Sequence, residues 1–83
     1  MDKKYFKELV ETFLHMKTAD QMVDFLYGIL TPRELEELST RLQIIKQLRK
    51  GVRQQTIAKN LRVGIATVTR GSRELKIGHF KYV

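Results

Sequence analysis

The 83-residue chain contains no cysteine, which excludes a disulfide framework, thiolate metal ligation and thiol nucleophiles. It has one proline, Pro32, and five glycines, and no stretch of four or more residues reads as a strand between turn signals. Long apolar runs are missing, so nothing is expected to span a membrane. The start MDKKYFKEL is interrupted by charges and has no apolar core of a secretory signal, which predicts a cytoplasmic protein. Acidic residues are scarce in one half. Residues 41–83 carry eleven Lys or Arg against Glu74 alone, a net of +10, whereas residues 1–40 carry five basic against eight acidic residues, a net of −3. Such asymmetry marks a surface that faces a polyanion, nucleic acid first and an anionic membrane second. A solubilising charge excess is the plain alternative.

What is present is helical periodicity, and the fold class it predicts is all-α. Eighty-three residues make one domain whose core is marginal without oligomerisation. Phe6, Leu9, Val10, Phe13 and Leu14 repeat at helical spacing, and His15, Met16 and Lys17 follow as a connector. Thr18 with Gln21 resembles a capping box opening a second helix to about Gly28 or Leu30. That helix carries Met22, Val23, Phe25, Leu26, Tyr27 and Ile29 on more than one face, which calls for cover from a second subunit. Residues 1–30 therefore read as dimerisation helices. Thr31, Pro32 and Glu34 give the clearest helix start, opening a central helix over 31–50 with Leu35, Leu38, Leu42, Ile45 and Leu48 on one face. Gly51 is placed to end it, and residues 77–83 read as an irregular tail.

Residues 54–73, QQTIAKNLRVGIATVTRGSR, read as a helix-turn-helix. Ala58 is small where two steeply crossing helices approach, and Ile57, Leu61, Val63 and Val68 lock the pair. The second helix then presents Ile65, Ala66, Thr67 and Thr69, short enough to enter a major groove. Gln54 and Gln55 open the first helix where phosphate is met. Arg62 stands in the turn where glycine is usual, and at positive φ it costs about 1 kcal/mol relative to glycine. An ordinary helical hairpin is the competing reading.

The segments LTPRELEELSTRLQIIKQLRKG (30–51) and GIATVTRGS (64–72) resemble the tryptophan repressor family, over a match running from Leu30 to about Lys76. The resemblance implies an intertwined helical homodimer whose paired recognition helices meet successive major grooves of a palindromic operator in double-stranded DNA. The half-site spacing of about 34–36 Å belongs to the dimeric helix-turn-helix class, of which the tryptophan repressor is itself a standard example, and is no result from this chain. The resemblance also implies L-tryptophan as corepressor, bound between the central helix of one subunit and the reading head of the other. Arg41 would stack on the indole and Arg70 would bind the carboxylate, with Thr31 and Gly71 lining the site. Gln54, Gln55, Ile65, Ala66, Thr67 and Thr69 would face DNA, and Lys76 would reach phosphate. The family's last helix is expected to be absent or vestigial here.

Two positions depart from the family pattern. Glu74 replaces a hydroxyl that helps hold the ligand ammonium. Its carboxylate either serves that ammonium by charge or pairs with Arg70 at i,i+4. Gly28 stands where a bulky aliphatic is expected. Arg41 and Arg70 have a plainer reading as phosphate-contacting or solvated arginines, although a guanidinium suits both ring stacking and carboxylate pairing.

No enzyme and no metal cofactor are expected. His15 and His79 have no partners at ligand spacing, and no nucleophile–base or phosphate-loop pattern is present. Glu34, Glu36 and Glu37 suit the helix dipole, while Ser39 and Ser72 read as surface or capping residues. The function predicted is an L-tryptophan-controlled transcriptional repressor. The alternatives are a related regulator that is constitutive or senses another ligand, and a small helical protein-interaction module.

Overall fold

Side-chain capping starts the first helix, α1 (Lys3–His15), where Asp2 Oδ1 accepts from the N–H groups of Lys4 at 2.8 Å and Tyr5 at 3.2 Å. Next comes α2 (Ala19–Ile29), opened by Thr18 Oγ1 accepting from Gln21 N–H at 3.1 Å. The return bond to Gln21 Oε1 comes from Lys17 N–H at 2.8 Å, one residue before the position a capping box uses. At the start of α3 (Pro32–Arg49) the box closes on its cap. Thr31 N–H donates to Glu34 Oε1 at 2.8 Å, and Glu34 N–H donates to Thr31 Oγ1 at 3.2 Å. The two remaining helices are α4 (Gln54–Leu61) and α5 (Ile65–Ile77). This computed structural model describes all residues, 1–83, and none forms a strand. No helix is long and apolar enough to cross a membrane.

The chain divides into two compact units, Met1–Leu35 and Glu36–Val83. In the first, Phe13 and Phe25 meet edge to face with ring centroids 5.4 Å apart. Yet no residue of α1 or α2 is buried, and Tyr5, Phe6, Val10, Leu14, Val23 and Tyr27 are all exposed. A 35-residue unit of this kind is below the size of about 40 residues at which a chain folds unaided.

In the second unit Ile44, Ile57 and Val68 form the core, with Leu48, Val52, Ala58, Leu61 and Val63 packed around them. The residues expected to lock the helix pair are therefore in place. The expected face of α3 is displaced at its N-terminal end. Ile45 is buried and Leu48 joins the core, but the deepest α3 residue is Ile44, and Leu38 and Leu42 are left 47% and 42% exposed. The reason is that α4 and α5 cover only the last turns of α3. Gly71 allows the close approach there, since a Cβ on it would lie 3.2 Å from Ile44 Cγ2 and 3.3 Å from Ile45 Cδ1.

The helices of this unit end alike, in Schellman motifs. After α3, Gly51 N–H reaches Leu48 O and Val52 N–H reaches Gln47 O, with φ +80° at Gly51. After α5, Gly78 N–H and His79 N–H reach Leu75 O and Glu74 O, with φ +113° at Gly78. After α4 the same pattern runs from Arg62 and Val63 to Lys59 and Ala58, but φ +55° falls on an arginine. The turn therefore holds Arg62 in the left-handed conformation. Beyond Gly78 the tail forms turns, and the Arg49 guanidinium donates to the Phe80 carbonyl.

Candidate ligand and nucleic-acid interface

A cavity of about 560 Å³ opens between α3 and α5 within the second unit. From α3 it is lined by Leu38, Arg41, Leu42, Ile44 and Ile45, and from α5 by Ala66, Thr67, Arg70, Gly71 and Glu74. Phe80 and Val83 of the tail complete it. The period of α5 explains its contribution, since positions 67, 71 and 74, with 66 and 70, share one face.

Four of the five expected ligand residues, Arg41, Arg70, Gly71 and Glu74, thus meet around one cavity. Thr31 does not line it. It belongs to the first unit, where its hydroxyl caps α3. The Thr31 backbone N–H bonded to Glu34 Oε1, and after it the nearby Thr31 hydroxyl, hold the Glu34 carboxyl below the usual carboxylate range. Gly28 lies in α2 with open space around it.

Neither Arg41 nor Arg70 has a carboxylate within ion-pair distance. Glu74 Oε2 instead faces His79 Nε2 at 3.4 Å, so the i,i+4 pair with Arg70 is not formed. Two cations and one carboxylate on a largely apolar wall can hold a small zwitterion that carries a ring: guanidinium for carboxylate, carboxylate for ammonium, guanidinium or aliphatic face for the ring.

The second surface lies at the beginnings of α4 and α5. The caps are Arg53 and Gly64, neither making a side-chain cap bond, and no acid occupies either first turn. The three earlier helices all have their first N–H groups engaged by side chains. Thr67 N–H reaches Gly64 O at 3.1 Å, and the amides of Gln54, Gln55, Ile65 and Ala66 are left to meet phosphate oxygens. Gln55, Ile65, Ala66, Thr67 and Lys76 are exposed. Gln54 and Thr69 are half-buried and joined to each other, the Thr69 hydroxyl lying 2.8 Å from Gln54 Oε1 and 3.0 Å from Ile65 O. Ala66 and Thr67 belong to both surfaces, because they line the cavity at the exposed start of α5.

Some residues of these surfaces escape a reading of the sequence. Arg53 lacked a motif, although a basic residue just before Gln54 and Gln55 was the available signal. Leu38 and Leu42 read as core, and nothing in the aperiodic tail pointed Phe80 at the cavity.

A family model described as Trp repressor protein matches residues 4–83. The match extends past the Leu30–Lys76 stretch into the N-terminal helices. The Trp operon repressor homolog of Photobacterium profundum is 51% identical over 69 residues, covering 81% of this chain and 67% of that protein. The homolog of Vibrio vulnificus is 40% identical over 77 residues, covering 92% of this chain and 72% of its own length. That of Actinobacillus succinogenes is 38% identical over 74 residues, covering 88% and 73%. With the all-helical architecture and a family match along nearly its whole length, the chain belongs to the Trp repressor protein family.

Proposed function

We propose that the protein is a DNA-binding transcriptional repressor that acts in the cytoplasm as a homodimer on a palindromic operator, with L-tryptophan as corepressor. The observation that carries this reading is the cavity in which Arg41, Arg70 and Glu74 meet against the reading helix itself. Its volume falls within the range of about 300–1,000 Å³ typical of small-molecule sites. A ligand there touches α5 beside Ala66 and Thr67, so occupancy bears on where the reading helix sits. A ligand shifts an equilibrium only by binding one arrangement better than another, and contacts to α5 are the ones through which a ligand here would distinguish arrangements of that helix.

The homodimer is supported by the uncovered apolar faces of α1 and α2. In this reading residues 1–30 form the dimer core, 31–50 the central helix and 54–73 the reading head. DNA is supported by the uncapped helix starts and by the charge of the second unit, which has eleven basic residues against three acidic. Gln55, Ile65, Ala66 and Thr67 reach base edges or phosphate, and Lys76 reaches phosphate. Gln54, whose Oε1 accepts from Thr69, keeps its N–H₂ as a donor for DNA.

Calorimetric titration with L-tryptophan, with D-tryptophan as control, tests the ligand. Saturation at one molecule per subunit is expected, and Arg41→Ala or Arg70→Ala abolishes it. Absence of heat at millimolar ligand, with an unshifted melting temperature, refutes the corepressor. Selection of bound duplexes from random DNA tests the operator: a palindromic consensus is expected, and no enrichment refutes sequence-specific binding. DNA affinity is also expected to fall steeply with salt, through counterion release.

A further inference from the structure

We infer that Phe80 is a specificity-determining wall of the effector cavity, held in place by a tail that Arg49 clasps. The inference rests on the cavity being the effector site. Three observations converge on it. After α5 the chain turns back through Gly78, so the tail returns toward the cavity instead of leaving it. Phe80 itself has φ +68°, a left-handed conformation that a bulky residue rarely adopts and that surrounding contacts must maintain. The Arg49 guanidinium supplies such a contact by donating to the Phe80 carbonyl, across thirty-one positions of sequence. Val83 N–H donates to that same carbonyl at 3.2 Å.

The consequence is an aromatic ring in the lining of a cavity that also holds two unpaired guanidinium groups. Arginine stacks on any planar ring, and a phenyl ring adds an edge or face that favours an aromatic ligand over an aliphatic one. Phe80 is 36% exposed, too open to be explained as a core residue. Its ring is available to a ligand, and its selectivity is for an indole or similar planar group on an amino acid. Arg49 acts through Phe80 as a positioning residue and does not itself line the cavity.

The test is calorimetric titration of the full chain and of Phe80→Ala, Phe80→Leu, Arg49→Met and the Phe80→Ala/Arg49→Met double variant with L-tryptophan, with L-leucine as competitor. Phe80→Ala is expected to bind L-tryptophan about 3- to 10-fold more weakly, the size of one lost aromatic contact. Phe80→Leu retains apolar bulk and folding, and is expected to lose preference for L-tryptophan over L-leucine. Arg49→Met weakens binding in the same direction and adds no further loss in the double variant, because coupled residues are not additive. Undiminished L-tryptophan affinity and unchanged selectivity in both Phe80 variants would overturn the wall while leaving the effector site intact. Additive losses in the double variant overturn the clasp. Failure of the unsubstituted protein to bind L-tryptophan overturns the effector site, and the wall with it.

Discussion

The Thr69 hydroxyl lies 2.8 Å from Gln54 Oε1 and joins the first residue of α4 to α5. Because Oε1 accepts from Thr69, the amide group of Gln54 presents its N–H₂ elsewhere, as a donor.

Replacing Thr69 by valine keeps the shape and removes this bond. The expected cost is about 0.5–1.5 kcal/mol of stability, the net worth of one hydrogen bond, with weaker DNA binding because Gln54 loses its orientation. Serine at the position restores both. Chemical denaturation and fluorescence anisotropy on the same proteins make the comparison, and a valine variant with unaltered DNA affinity would show that the orientation of Gln54 is immaterial.

Arg62 occupies a left-handed cap that glycine fills after α3 and α5. Arg62→Gly is expected to raise stability by roughly 1 kcal/mol through relief of that conformation, which corresponds to a melting temperature about 4–8 °C higher in a domain of this size. DNA affinity is expected to fall, with a shallower salt dependence because one cation is gone. Thermal melts and binding isotherms at several salt concentrations separate the two effects.

Gly71 carries only hydrogen where a Cβ would press on Ile44 and Ile45. Gly71→Val is expected to destabilise by about 1–3 kcal/mol through overpacking and to abolish ligand binding by parting α3 from α5. Urea titration and calorimetry measure the two losses. Retention of both stability and binding would mean the helices move apart without consequence.

Thr31 lowers the Glu34 pKa by hydrogen bonds made only in the folded helix. The capping contribution is complete above the unfolded carboxylate value and disappears as pH falls through the lower folded one. Melting temperature measured from pH 7 to pH 3 should therefore show the difference between wild type and Glu34→Ala, which removes the carboxylate that Thr31 N–H holds, shrinking at the acid end. A difference that stays constant across that window would place the cap's contribution elsewhere than in the carboxylate.

Much of the fold was legible because its determinants are local. Thr18 and Thr31 announce helix starts through bonds that span three residues, and Gly51 announces a stop. The pair of helices around Ala58 was legible because Ile57, Leu61, Val63 and Val68 repeat at the spacing such a pair demands. Arg41 and Arg70 could be named as ligand residues only through resemblance, since two arginines twenty-nine positions apart carry no spacing rule.

Sequence alone determined the helices, their caps, the packed pair of helices around Ala58 and the concentration of positive charge, because each depends on residues within a few positions or on simple addition. Tertiary structure decided that Ile44 is the deepest α3 residue while Leu38 and Leu42 line a cavity, because only the path of α4 and α5 determines which turns of α3 are covered. It decided likewise that Glu74 faces His79 rather than Arg70, and that Phe80 lines the cavity. The setting of both depends on where Gly78 turns the chain after α5, and the reach of Phe80 also on its bond to distant Arg49, which no reading of neighbouring residues contains.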